Sequence, residues 1–169
     1  MHDQHEKSIN KVHFITLGCS SNQAETEIMS GILSENGYLL VSSKEEADII
    51  VINICTVKGD KSALEAISEV KDYIAEEKRL GNQKHIVVAG CIPPTRDSIF
   101  RSAAPEAAFV KTDNIHKIAE VVEELIKGNP LTLIGRNNEP KLNYSNVRGN
   151  KSIAIIPINN SCNDACTFC

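Results

Sequence analysis

Six cysteines in 169 residues fall into two groups, and their types and spacing point to metal or redox chemistry. Cys19, Cys55 and Cys91 are evenly spaced, and each directly follows a β-rich apolar run, in TLGC, INIC and VAGC. Cys162, Cys166 and Cys169 form a compact C-x3-C-x2-C run. A single cysteine after a strand is most simply a small buried hydrophobe. Three at equivalent positions favour a metal site, because thiolates select soft centres such as zinc and iron–sulfur clusters. Structural zinc usually takes four protein ligands. Three thiolates with no obvious fourth suit an iron–sulfur cluster with one open iron. His13 and His85 sit inside expected strands as packing residues, and His2, His5 and His116 are expected to face solvent.

The second triad carries its own signal. Cys166 and Cys169 alone share their spacing with zinc knuckles and thioredoxin-like sites. With Cys162 added, directly after an apolar strand, one loop can hold three irons of a 4Fe–4S cluster. The fourth iron is then free to chelate the amino and carboxylate groups of S-adenosylmethionine. Phe168 is placed to pack beside that cofactor or, equally, to fill the loop's own core.

The elements that must position the first triad follow from periodicity. Val12–Leu17, Tyr38–Val41, Asp48–Ile54, His85–Gly90 and Ala107–Val110 are expected strands. The third, DIIVINI, is continuously apolar, as a strand buried on both faces should be. Helices are expected over Asn22–Asn36, from Asp60 to near Gly81, over Pro94–Ala103 and over Asn114–Lys127. Asn22 with Glu25 three residues later has the form of a capping box. Strands alternating with helices imply an α/β fold: a doubly wound, parallel five-stranded sheet, flavodoxin-like, over residues 10–135. In the order 2-1-3-4-5, strands one, three and four are neighbours about 4.8 Å apart. Their three terminal cysteines then converge within about 10 Å at the crevice where such sheets bind ligands. Gly18 and Gly90, each before a cysteine, permit tight turns and close main-chain approach.

Residues 136–151 are rich in Asn, Gly and Pro, as expected of a linker. Their Arg136, Lys141, Arg148 and Lys151 read as a solvated loop or, alternatively, a small RNA- or phosphate-contacting patch. Ser152–Ile158 (SIAIIPI) is expected to be a strand opening a second domain over residues 152–169, cut short at Cys169. The formal net charge of −4 argues against this segment being the main nucleic-acid grip. Met1–Lys11 is polar, without the apolar core of a signal peptide, and no apolar run approaches the roughly 20 residues that cross a bilayer. A cytoplasmic location is expected, where thiols stay reduced and cysteines serve metals more than disulfides.

The chain resembles the radical-SAM tRNA methylthiotransferases. The resemblance runs from about Phe14 to Cys169, through TLGCSSNQAETEIM, GYLLV, EADIIVINICTVKG, VVAGCIPPT and INNSCNDACTFC. Two cysteine triads on one chain make it specific. NxCTVKG and AGCxP are most similar to the archaeal and eukaryotic branch, which acts on N6-threonylcarbamoyladenosine at position 37 of tRNA. Sister branches act on isopentenyladenosine in tRNA or on an aspartate of a ribosomal protein. Glu25 stands where the family often has Asp, Ile54 where Thr or Ser is common, and Pro94 where Gln is frequent. These departures bear on subtype and touch no cysteine.

The resemblance implies two 4Fe–4S clusters. One, on Cys162, Cys166 and Cys169, cleaves S-adenosylmethionine reductively, and the resulting 5′-deoxyadenosyl radical takes hydrogen from adenine C2. The other, on Cys19, Cys55 and Cys91, delivers the methylthio unit. It implies tRNA and a reductant as partners. It also places Asn22 and Asn53 beside the first cluster, as candidates to hydrogen-bond its sulfides. The family's radical-SAM barrel and RNA-binding TRAM domain lie outside these 169 residues, so the chain alone is expected to be inactive. Two other classes remain open: a non-enzymatic zinc-binding α/β domain, and a flavodoxin-like nucleotide binder with incidental cysteines. CSSNQAE in place of a Gly-rich phosphate loop disfavours the latter. A radical-SAM enzyme of other chemistry is also compatible with the second triad.

Overall fold

The structure, a computed structural model, describes residues 10–56, 60–137, 139–158 and Thr167. Six parallel strands form one sheet: β1 Lys11–Thr16, β2 Leu39–Leu40, β3 Ile49–Ile54, β4 His85–Gly90, β5 Ala108–Lys111 and β6 Thr132–Leu133. Their order is β2-β1-β3-β4-β5-β6, the doubly wound, flavodoxin-like arrangement. The sixth strand is absent from the five-stranded expectation. It is two residues long, too short to show a period, and exists because Thr132 and Leu133 find Phe109 and Val110 of β5 to pair with.

The helices are α1 Ser20–Glu35, α2 Lys61–Arg79, α3 Asp97–Ala103 and α4 Ile118–Ile126. Side chains alternate across a strand, so the sheet divides the core in two. Val12, Ile49, Val51, Val87, Ala89 and Val110 pack with α1 and α4. Ile50, Ile52, Ile54, Val88 and Phe109 pack with α2 and α3. Every residue of β3 is buried, as its unbroken apolar run requires. The single helix expected over Asn114–Lys127 is a 3-10 segment, Thr112–Lys117, leading into α4. Among the described residues no helix is long and apolar enough to cross a membrane.

Helix α1 is covered on both sides. Its apolar residues Ile28, Met29, Ile32 and Leu33 face the sheet, yet its polar Glu25, Thr26, Glu27 and Ser30 are buried too. Thr26 meets Thr16 and Asn53 of the sheet, and part of the expected linker covers Glu25 and Glu27. The Val147 main-chain N–H donates to Glu27 O at 2.9 Å, and the Gly149 N–H to Glu27 Oε1 at 3.1 Å. A Cβ on Gly31 would lie 2.6 Å from Asn146 N and would also meet the Ser145 main chain, so glycine here admits the crossing backbone. Lys141 lies buried on Glu25, whereas Arg136, Arg148 and Lys151 are exposed, as a solvated loop requires. The segment is a strap across α1, anchored further by stacking of Tyr144 on His116, ring centroids 5.9 Å apart. His116 is therefore partly covered, against the expectation that it faces solvent.

Residues 152–158 form no strand. A strand needs a hydrogen-bonding neighbour, and none is present among the described residues; Ile153, Ile156 and Ile158 stay exposed.

Candidate metal centre

Cys19, Cys55 and Cys91 follow β1, β3 and β4, which are adjacent in the sheet and in parallel register from Ile49↔His85 to Ile54↔Gly90. The topology therefore delivers all three to one end of the sheet, outside the carboxyl ends of its central strands. All three thiols are free.

The strand ends are tied together. Leu17 N–H donates to Asn53 O at 2.8 Å, and Cys91 N–H to Ile54 O at 3.0 Å. The Thr56 hydroxyl donates to Cys91 O at 3.1 Å. Gly18 and Gly90 have φ of 150° and 105°, a region costly for residues with a Cβ. A Cβ on Gly18 would come within 2.6 Å of Cys55 Cβ and would collide with Asn22 Oδ1. A Cβ on Gly90 would meet Ile54 O and Asn53 Oδ1. Both glycines thus bring cysteine-bearing loops together, as their positions in the sequence indicate.

The N-cap of α1 is Cys19, and Asn22 occupies the third helical position. The capping pair expected from Asn22 and Glu25 is displaced by one turn, because the helix starts at Ser20. Asn22 Oδ1 accepts from the Cys19 main-chain N–H at 3.3 Å and lies 3.5 Å from its Sγ. Its amide donates to Asn53 Oδ1 and Ile54 O, each at 3.0 Å. Asn53 donates in turn to Asn22 O at 2.8 Å and to Thr26 Oγ1 at 3.0 Å. Each amide group has two N–H bonds to give, and all four are directed inside the protein. The two asparagines are a buried brace beneath the cysteines and have no donor left for a cluster sulfide.

The thiols differ electrostatically. The Asn22 main-chain N–H at the start of α1 holds the exposed Cys19 thiol below its ordinary value, against a smaller opposing effect of burial. Burial pushes the Cys91 thiol up, opposed by a hydrogen bond from Thr112, with the charges of Glu25, Cys55 and Cys19 adding to the rise. Among the described residues no three His, Cys, Asp or Glu side chains close around a single ion. A polynuclear cluster is wider than one ion and takes its thiolates further apart, and an all-thiolate donor set fits iron–sulfur chemistry.

Three residues at this end of the sheet, Glu25, Thr112 and Lys141, are not marked by the sequence as partners of the cysteines. Thr112 Oγ1 lies 3.8 Å from Cys91 Sγ and 3.5 Å from Glu25 Oε2. Lys141 Nζ lies 2.8 Å from Glu25 Oε1, both side chains only 5% exposed. Thr112 follows β5 directly, so the rule that selects the cysteines, a polar side chain just past a strand end, also selects it. Nothing local marks Lys141. Cys162, Cys166, Phe168 and Cys169 lie outside the described residues.

Comparison with known proteins adds to this geometry. The family model described as "Uncharacterized protein family UPF0004" matches residues 11–111. The threonylcarbamoyladenosine tRNA methylthiotransferase of Danio rerio is 33% identical over 95% of this chain and 29% of its own length. A probable threonylcarbamoyladenosine tRNA methylthiotransferase of Methanothermobacter thermautotrophicus is 30% identical over 94% of this chain and 36% of its own. The ribosomal protein uS12 methylthiotransferase of Natranaerobius thermophilus is 32% identical over the same shares, 94% and 36%. The chain thus spans about a third of the length of these curated relatives.

Proposed function

The chain belongs to the family UPF0004, and from that premise we propose that it carries the first-cluster domain of a cytoplasmic radical-SAM methylthiotransferase acting on threonylcarbamoyladenosine in tRNA. One observation carries the proposal: three free thiols follow three adjacent parallel strands, in a chain similar to methylthiotransferases over nearly its whole length. Cys19, Cys55 and Cys91 would hold one 4Fe–4S cluster. Cys162, Cys166 and Cys169 would hold another, with S-adenosylmethionine on its open iron and Phe168 beside it. The domain would run over about residues 10–135, with residues 136–151 leading to the radical-SAM segment at 152–169.

When bound, the clusters supply one-electron chemistry that no side-chain base can apply to an adenine C2–H bond. The work of this chain's residues is positional. Gly18 and Gly90 let the loops approach, the Asn22–Asn53 brace fixes them, and the start of α1 favours thiolate at Cys19. tRNA and a reductant would be the partners. With a net charge of −4, this segment would leave most of the RNA grip to other parts of the enzyme.

The test is iron and acid-labile sulfide per chain after anaerobic reconstitution of residues 1–169. About eight irons are expected, two clusters of about four. Changing Cys19, Cys55 and Cys91 to Ala should remove about half, with the circular dichroism of a folded protein retained. A folded protein that holds zinc, or loses no iron on that change, would falsify the three-cysteine site. The 32% identity to a uS12 methylthiotransferase makes ribosomal protein uS12 the competing substrate. Methylthio transfer by the longer protein, assayed on tRNA and on uS12 in parallel, decides between them.

A further inference from the structure

The sequence puts Lys141 in a polar, glycine-containing segment where an ammonium group would ordinarily stay in water. The fold buries it, with a partner 116 positions away. A buried lysine is costly unless paired, so the pairing reflects a tightly defined arrangement. Its partner's two oxygens are divided. Glu25 Oε1 receives Lys141 at 2.8 Å, and Glu25 Oε2 lies 3.5 Å from the Thr112 hydroxyl. That hydroxyl lies 3.8 Å from Cys91 Sγ. A threonine hydroxyl has one proton to give, and here two acceptors compete for it: a carboxylate and a sulfur.

We propose that Lys141 and Glu25 are positioning residues for the first cysteine site, holding the Thr112 hydroxyl as a hydrogen-bond donor to the Cys91 sulfur. The inference rests on the cluster assignment above. A cluster-bound cysteine sulfur is a thiolate and accepts only. Glu25 is the rival acceptor, since the Thr112 hydroxyl can also donate to its Oε2, and Lys141 neutralises Glu25 so that the carboxylate does not win the proton. Hydrogen bonds to cluster sulfurs and nearby net charge both set a cluster's reduction potential. Losing the bond, or leaving Glu25 unneutralised, makes the added electron less welcome. The strap that carries Lys141 thereby connects the first cysteine site to the chain leading towards the second triad.

The test uses the 169-residue chain with Cys162, Cys166 and Cys169 changed to Ala, so that only the first cluster reports. Its reduction potential is measured by redox titration with electron paramagnetic resonance, alongside thermal unfolding. Thr112→Val is expected to lower the potential and Thr112→Ser to restore it. Lys141→Met should lower it, and adding Glu25→Gln should return it towards the parent by removing the uncompensated charge. Lys141→Arg keeps the charge and should keep the parent potential. An unchanged potential in Thr112→Val overturns the proposal. So does an unchanged potential in folded Lys141→Met, even with stability lost, since that is a purely structural pair. If Lys141→Met does not fold, the Thr112 variants and the Lys141→Met/Glu25→Gln double variant decide. A folded parent that assembles no cluster overturns the cluster assignment itself, an outcome distinct from a cluster of unmoved potential.

Discussion

Lys141 Nζ and Glu25 Oε1 stand 2.8 Å apart, almost fully buried, and pin a distant polar segment to the first helix of the sheet domain. Removing one partner of a buried pair leaves the other's charge without compensation. Lys141→Met is expected to cost about 3–5 kcal/mol of unfolding free energy. The double change Lys141→Met/Glu25→Leu should recover much of it, because two apolar side chains can replace a buried pair at little loss. Urea unfolding of the two variants beside the parent measures both effects. A single-variant loss under about 1 kcal/mol, the surface-pair range, would mean that the pair is solvated.

Gly31 is where the strap's main chain crosses α1. A methyl group there meets the Ser145 main chain and Asn146 N, which are backbone and cannot rotate aside. Gly31→Ala should therefore lift the strap although alanine is the better helix former, with a net loss of about 1–3 kcal/mol. Faster amide hydrogen exchange at Val147 and Gly149, whose N–H groups bond to Glu27, would report the lifting directly. Unchanged exchange at those two amides would refute it.

Asn53 sits at full burial with both N–H bonds used. Asn53→Ala removes the Asn22 amide's Oδ1 acceptor and two donors at once. A loss of about 1–3 kcal/mol is expected for the unsatisfied groups left behind. The loop bearing Cys19 should also loosen, seen as faster exchange of the Leu17 and Cys19 amides. Full stability in this variant would show that the brace is replaceable.

Cys19 and Cys91 should react in sequence in the metal-free protein. The thiolate is the nucleophile. Cys19 is exposed and held low by main-chain N–H groups, whereas burial holds Cys91 high. As pH rises, Cys19 therefore ionises first, and its alkylation by iodoacetamide should level off at lower pH than that of Cys91. Peptide mapping of the labelled cysteines at stepped pH reads the order. Equal midpoints would mean that the start of α1 does not act on Cys19.

Much of the site is legible before any folding is considered. Each cysteine of the first triad follows a β-rich run that reads as a strand, and β3 and β4 fall within a residue of where their side chains place them. Gly18 and Gly90 announce close approach because no other residue tolerates it. These are local facts, set by period, Cβ sterics and the parallel-sheet rule, and so they are written in sequence order.

What the tertiary structure alone decided is non-local. β6 is two residues long and exists only because β5 offers it hydrogen bonds. The apolar run 152–158 has β-strand character but no neighbour among the described residues, and forms no strand. Asn22 and Asn53, each a candidate cluster contact when taken singly, spend their donors on each other, on Ile54 O and on Thr26 Oγ1 once β3 and α1 are packed together. Lys141 has the local surroundings of a solvated loop, and only its encounter with Glu25 across α1 buries it. Burial and pairing are properties of what the chain meets, and partners more than a hundred positions apart leave no local period by which to find them.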